Sequence, residues 1–571
     1  MHRLTAACTV LALAASGSVL VAADSRDEKT KRIDALFERW DRSDSPGCSL
    51  GIVREGRLIY ERGYGMANLE HDIPITPDTV FRIASVSKQF TAMSLLLLEQ
   101  DGALSLEDDI RDYLPEMPDY GQPISIRHLV QHSSGIRDYE GMTTLLGVAN
   151  EDTYVEQEIL ELLARQKALN FAPGERYLYS NSGYLLLGEI VERVSGKTLR
   201  QFVDQRIFRP LGMHASVIRD DHTEVIEHRA SGYAPWKGGG FRIAESYYDL
   251  VGDGSVFTTV RDLYRWDQNF YHQKVGGEEV AKAQHETLVL NDGRNMLYAA
   301  GLEIGEYGGL RFVAHSGSWV GFKAQLLRFP GQRFSVICLC NDESVNPTAL
   351  AVRIADIYLA DQFESAPRRP VAAADPDGDP AARAAELAVK EGLYREPVTH
   401  AVARVSVGGP RLLVDQGWGP SAYAPVGRDT FRSADRDVGF PADLVFAEKQ
   451  RAVPQRFQLL ELGEVPLNFE KIDPYSPSLD ELREYTGAYY SEELETTNRV
   501  YLEDDRLYLE YRRSPKTPLQ PTLKDQFTLN GMRIEFERDS KGGISGYGIW
   551  FDWEWNLRFA RRDPSKDPAA P

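Results

Sequence analysis

Residues 83–98 read Ile-Ala-Ser-Val-Ser-Lys-Gln-Phe-Thr-Ala-Met-Ser-Leu-Leu-Leu-Leu, with Lys88 the single charged side chain among them. A helix that is apolar around most of its circumference is buried, so Lys88 is expected to be buried with it, in a helix ending near Gly102. Taking an ammonium out of water lowers its pKa and lets the amine accept a proton near neutral pH. Ser85 precedes Lys88 by three positions, which puts both side chains on one face of the first turn, with the hydroxyl at the positive end of the helix dipole. A serine beside a deprotonated amine is an activated nucleophile. The same S-x-x-K spacing also suits a capping serine followed by a lysine that snorkels to solvent, so the motif alone does not decide.

Two other segments supply the context. Tyr179-Ser180-Asn181 stands just before an expected helix over 183–194, and His315-Ser316-Gly317 closes a strand-like run over 310–314. Each has an ordinary reading: Asn181 as a helix cap, Tyr179 as one of 27 tyrosines, His315 as a strand-end histidine. Gly47-Cys48-Ser49-Leu50-Gly51 fits G-x-S-x-G, but a nucleophile elbow needs strand, turn and helix, whereas Ser49 is followed by a turn and a second strand. His132-Ser133-Ser134-Gly135-Ile136 suits a connecting turn.

In the order S-x-x-K, Y-S-N, H-S-G, with Phe81-Arg82-Ile83-Ala84 before the serine, residues 28–360 resemble the serine β-lactamase and penicillin-binding protein superfamily. The layout is most similar to that of the D-aminopeptidases, which join such a domain to two eight-stranded barrels. The resemblance implies an α/β (α+β) β-lactamase/transpeptidase-like catalytic domain with a central antiparallel sheet, followed by two small antiparallel β-barrels. It implies Ser85 as nucleophile, Lys88 and Tyr179 as proton-handling partners, and His315 where β-lactamases carry lysine. Asn181 would position Lys88 and the substrate amide. Gly317 has no side chain to block a substrate carbonyl, and the N–H groups of Ser318 and Ser85 can form an oxyanion hole.

The expected activity is that of a serine hydrolase, an aminopeptidase or amidase on D-amino-acid-containing peptides or amides, with no metal and no cofactor. Its rivals are an esterase or β-lactamase on the same machinery, and a penicillin-binding sensor that acylates without turnover. The family's five-stranded order, with the first strand antiparallel against the last, also implies that Cys48 lies close to Cys340 or Cys338. Free thiols are the expectation there, because the three cysteines beyond residue 23 leave one without a mate in any pairing.

The rest of the chain sets the frame. At 571 residues, a prior of about 100–200 per domain suggests three domains. His2 and Arg3, a small apolar run to Val21 and the Val21-Ala22-Ala23 end match a secretory signal over 1–23, hence a periplasmic or secreted protein with no stable membrane insertion. A net charge of −20 opposes binding to a phosphate backbone, so nucleic acid is not an expected partner. A small peptide, amide or ester substrate is expected instead, and a homodimer is compatible with the sequence. The catalytic domain is expected over 24–364 and a Pro/Ala/Asp-rich linker over 365–385. Behind it, Gly392, Tyr394, Arg404, Val405, Arg411 and Leu412 recur as Gly487, Tyr489, Arg499, Val500, Arg506 and Leu507, at one offset of 95. Phe446 and Phe457 recur as Phe536 and Tyr547 at an offset of 90. Two related antiparallel units follow, over 386–473 and 480–563, and closure into barrels would remove their edges.

Overall fold

The structure is a computed structural model that describes residues 28–369, 380–435, 439–447, 455–461, 465–514, 516–551 and 554–562. The expected signal segment, 1–23, lies outside the described residues.

One antiparallel sheet organises the first unit. Its strands are β1 (Cys48–Arg54), β2 (Arg57–Tyr64), β3 (Glu303–Tyr307), β4 (Leu310–Trp319), β5 (Phe322–Phe329) and β6 (Phe334–Cys340), in the order β3-β4-β5-β6-β1-β2. The family resemblance implied five strands, and β3, which pairs Glu303–Tyr307 with Leu310–Ala314, adds the sixth. The last strand in sequence therefore sits inside the sheet against the first, with Cys48 opposite Cys340. The two are joined in a disulfide, which corrects the expectation of free thiols; Cys338 keeps its thiol, buried. Antiparallel register sets the chain ends of β1 and β6 side by side, and that juxtaposition overrides the argument from an odd cysteine count.

Alternation along the strands feeds two cores. Leu50, Ile52, Leu327, Val336 and Cys338 face one side, where α1 (28–37) brings Ile33 and Phe37 and α5 (Pro347–Leu359) brings Leu350 and Ile354. Val53, Leu326, Ile337 and Leu339 face the other. There α2 (Lys88–Gln100), α3 (Asn181–Ser195) and α4 (Val260–His272) pack, α2 being buried at every position from Lys88 to Leu98. Each of its four consecutive leucines contributes about 1.5–3 kcal/mol of burial, enough to outweigh the cost of one buried amine. Ser49 lies within β1, fully buried, and donates to the Thr76 carbonyl at 3.2 Å.

The repeat is visible as paired registers. Gly392 pairs with Val405 and Gly487 with Val500; Phe446 pairs with Phe457 and Phe536 with Tyr547. Tyr394 donates to the Lys390 carbonyl at 2.8 Å and Tyr489 to that of Tyr485 at 2.6 Å, the same bond in each copy. The first unit closes as an eight-stranded barrel from Gly392 to Ile472. The second is a nine-stranded sheet, one more strand than expected, whose terminal strands Thr517–Pro518 and Gln520–Leu523 are consecutive in sequence. A helix, Pro380–Ala388, spans the boundary expected at 385/386.

The second barrel docks on the catalytic unit through polar contacts. Arg137 Nη1 donates to Glu493 Oε1 at 2.6 Å, with the two side chains 2% and 6% exposed. The same oxygen accepts from Lys167 N at 2.7 Å, and Trp555 N donates to Asn170 Oδ1 at 2.9 Å. Among the described residues no helix is long and apolar enough to cross a membrane.

Candidate active site

The turn that carries Ser85 forms because Phe81–Arg82 pairs with Phe257 and Thr258 and then breaks sharply. Ala84 takes a φ of +45°, a left-handed conformation that costs a residue with a Cβ about 1–3 kcal/mol and is retained only where the surroundings impose it. Ser85 follows in a 3₁₀ turn, Ala84–Ser87, which runs directly into α2 at Lys88. The expected single helix is thus a tight turn plus a helix, and the S-x-x-K pair spans the junction.

Lys88 is fully buried and its nitrogen has three neighbours. It donates to Asn181 Oδ1 at 2.7 Å and to the Asp253 carbonyl at 3.0 Å, and Ser85 Oγ lies 3.3 Å away. Burial pulls the ammonium below its ordinary value, against the opposing pull of Asp253, Glu140 and Asp138.

The Tyr179-Ser180-Asn181 run is fixed by α3. Ser180 Oγ caps the helix by accepting from Gly183 N at 3.2 Å, and Asp138 accepts from the N–H groups of Asn181 and Ser182 at the same terminus. Asn181 at the first helical position turns its amide between Lys88 and Glu140, donating to Glu140 Oε1 at 2.8 Å. Tyr179 stands beside them, with the Lys88 nitrogen 4.8 Å from its ring centre. Burial drives its phenol well above the usual value, the neighbouring Ser85 hydroxyl acting in the opposite sense.

His315 lies inside β4, a strand that runs on to Trp319 instead of ending at Ala314. Its Nδ1 is 2.6 Å from the Ser316 carbonyl and its Nε2 is 3.0 Å from Tyr298 Oη, so the imidazole braces Tyr298 and makes no hydrogen bond to Ser85. Burial lowers its pKa to about 4, which keeps the ring neutral. Gly317 is the strand's closest approach to the nucleophile: a Cβ there would lie 2.1 Å from the Ile83 carbonyl oxygen and 3.3 Å from Ser85 N. Ser318 lines the same small pocket as Ser85, its hydroxyl accepting from Lys323 Nζ at 2.6 Å.

Several groups at the site were given no chemical role by the sequence reading. Arg82, buried, donates to the Gly254 carbonyl at 2.9 Å and sits 5.4 Å from the Trp319 ring centre; burial lowers its pKa to about 10. Tyr139 donates to Asp253 Oδ2 at 2.6 Å. Glu140 lines the pocket with its pKa raised well above the ordinary range by burial and by Asp138 and Asp253. His132, expected in a plain turn, stacks on Tyr179 at 4.2 Å and accepts from Ser180 N at 3.0 Å. The charged run Arg137-Asp138-Tyr139-Glu140 was the available signal for two of them, Tyr139 and Glu140.

The sequence profile of the Beta-lactamase family matches residues 33–359. A penicillin-binding protein of Bacillus subtilis is 31% identical over 370 residues, which are 60% of this chain and 79% of that protein. The D-aminopeptidase of Brucella anthropi is 25% identical over 527 residues, covering 88% of this chain and 94% of the relative. The octameric penicillin-binding protein homologue from Pyrococcus abyssi shares the fold, with a TM-score of 0.54 at 23% identity over 77% of this chain and 100% of that one.

Proposed function

The chain belongs to the Beta-lactamase family and is a serine hydrolase, and from that premise we propose that it is an exported aminopeptidase or amidase that acylates Ser85 with a D-amino acid bearing a free amino group. The observation that carries the chemistry is the environment of the Lys88 nitrogen. A neutral amine has two N–H bonds and one lone pair; Asn181 Oδ1 and the Asp253 carbonyl take the two hydrogens, and the lone pair is left facing Ser85 Oγ. Lys88 accordingly accepts the serine proton as Oγ attacks the substrate carbonyl. The Tyr179 phenol, held in its protonated form by burial, gives a proton to the departing nitrogen and regains one from Lys88. The C–N bond breaks, the amine leaves, and water then attacks the ester by the same route in reverse. Backbone N–H groups of Ser85 and Ser318 receive the oxyanion, and Gly317 admits the substrate against β4.

Glu140 and Asp253 line the pocket beside Ser85 and supply carboxyl groups for a substrate ammonium, which in turn favours ionisation of Glu140. The D-aminopeptidase relative covering 88% of this chain supports the D-configuration of the acyl group. A β-lactamase role is less well supported, since neutral His315 stands where a cation would meet a β-lactam carboxylate. Export is supported by residues 1–23 and by the Cys48–Cys340 disulfide, a bond that persists in oxidising compartments.

The test is hydrolysis of D-alanine p-nitroanilide, its L enantiomer and its N-acetyl derivative, with Ser85→Ala as control. Turnover confined to the free-amine D substrate and abolished in Ser85→Ala is expected; equal turnover of the N-acetyl compound would reject the amine-recognition reading. Intact mass of protein recovered from the periplasm or medium should show the loss of 23 residues, a full-length mass rejecting export by this signal.

A further inference from the structure

Two cavities flank the catalytic groups. At Ser85 is a pocket of about 20 Å³ lined by Asn181, Glu140 and Asp253, room for about one water molecule. Tyr179, whose ring centre lies 4.8 Å from the Lys88 nitrogen, forms part of the wall of the second, a chamber of about 550 Å³, a volume in the range that holds a ligand of several hundred daltons. All three units build that chamber: Arg176 and Arg294 from the catalytic unit, Val398 and Leu467 from the first barrel, Arg533 and Trp555 from the second. A catalytic unit alone would leave this side of Tyr179 open to solvent.

We propose that the chamber is the leaving-group site of the hydrolase and takes the peptide that lies beyond the scissile amide, with its terminal carboxylate among the arginines. The inference rests on the acyl-enzyme reading given above. A general acid must lie within hydrogen-bond reach of the nitrogen it protonates, so the amine departs on the side of Tyr179, and the chamber is what lies there. The acyl part stays beside Ser85 towards Asn181, Glu140 and Asp253, where the small pocket takes no more than its ammonium head.

The chamber's chemistry matches such a group. Arg176, Arg294 and Arg533 face two carboxyl groups, Glu396 and Glu461. Glu396 is already engaged by its own turn, accepting from Val398 N at 2.7 Å, Thr399 N at 2.5 Å and Thr399 Oγ1 at 3.0 Å. Burial pushes the Glu461 carboxyl above its ordinary value, which lessens its charge. Arg294 also meets Asp292 at 2.6 Å, but both are about half exposed, a pairing that contributes little. Arg176 lies 6.0 Å from the Trp555 ring centre, presenting a cation and an aromatic face together. Substrates with ammonia as leaving group would leave the chamber unused.

The test compares D-alanine amide with D-alanyl-triglycine and with the same peptide amidated at its C-terminus. The free-acid peptide is expected to exceed the amide in kcat/KM by about tenfold or more. Val398→Trp, at a position 41% exposed in a turn, fills the chamber from the wall that the first barrel supplies. It should remove that advantage while leaving D-alanine amide within about twofold, and Arg176→Ala with Arg294→Ala should bring the free-acid peptide down to its C-terminal amide. A second readout needs no turnover: Ser85→Ala protein titrated with D-alanyl-triglycine should bind about tenfold more tightly than Ser85→Ala/Val398→Trp. Equal kcat/KM for peptide and amide, or a Val398→Trp defect equal on both, overturns the proposal. If wild type turns over none of the three while the titration still discriminates, the acyl-enzyme reading has failed and the chamber is a peptide site of another kind; a titration without discrimination overturns the chamber itself.

Discussion

Glu493→Ala is the perturbation that most directly probes how the second barrel serves the active site. Removing the carboxylate leaves the Arg137 guanidinium, 2% exposed, with Gln166 Oε1 at 3.0 Å and the carbonyls of Trp555 and Asn556 at 3.4 and 3.2 Å. None of those carries a negative charge. Breaking a buried pair by deleting one partner costs about 3–5 kcal/mol, and the stranded Lys167 N–H adds about 1–3 kcal/mol where water cannot reach it. Water admitted by the smaller side chain offsets part of this, so about 4 kcal/mol of docking free energy should be lost, close to a 10³-fold rise in undocked barrel. A chain of several domains need not unfold in one step, so calorimetry should show a separate low-temperature transition, and hydrogen exchange at the Lys167 amide should accelerate. Asp138, next to Arg137, accepts from Asn181 N and Ser182 N, so kcat should fall as well. Arg137→Met/Glu493→Leu, which replaces the pair by apolar groups, should recover most of the stability. A single variant within about 1 kcal/mol of wild type, or a double variant as unstable as the single, would refute the reasoning.

Lys88→Arg should be as inactive as Lys88→Ala, because a guanidinium stays protonated and cannot accept the Ser85 proton; measurable steady-state turnover by Lys88→Arg counts against the mechanism. Gly317→Ala must push β4 from the nucleophile turn, since its Cβ would lie 2.1 Å from the Ile83 oxygen, and kcat/KM should drop by about 10² or more with far-UV dichroism unchanged. For the pH dependence, Lys88 acts as a base with a lowered pKa, so log kcat/KM should climb as pH rises and level off at a pH below 10.5, its ordinary value; a limb centred at or above 10.5 means the amine is not desolvated. His315 has a folded pKa of about 4 against an ordinary 6.5, so the stability it contributes is complete above pH 6.5 and is lost as pH falls towards about 4, up to about 3 kcal/mol by chemical denaturation, and His315→Gln should flatten that acid limb.

The lone charge in an apolar helix pointed to Ser85 and Lys88, the Y-S-N and H-S-G segments supplied the context that the S-x-x-K spacing lacks, and the structure buries Lys88 with its nitrogen 3.3 Å from Ser85 Oγ. The repeat was equally legible, because barrel strands keep their register under a constant offset: Gly392 with Val405 and Gly487 with Val500 are the same pair twice. What sequence did not reveal is set by crossings in space. Asp138, Glu140 and Asp253 are ordinary acids until α3 sets Asn181 against Asp138, Glu140 and Lys88, whose nitrogen also reaches the Asp253 carbonyl. His315 stands near the site as expected, yet its hydrogen bonds go to Tyr298 and Ser316, a choice that depends on a tyrosine 17 positions away that no motif marks. His132 was set aside as a turn residue, and the stacking that ties it to Tyr179 comes from two segments 47 positions apart in the chain.

The bond between Cys48 and Cys340, 292 residues apart, turns the hydrolase unit into a covalent ring. Traction applied to the polypeptide at its two flanks is borne by that one linkage, and the loop containing Ser85, Lys88 and Tyr179 carries no load. A protease that cuts the exposed hairpin tip around Trp236 would likewise leave both pieces on one molecule, separable only after reduction. A single crosslink thus answers to both pulling and cutting.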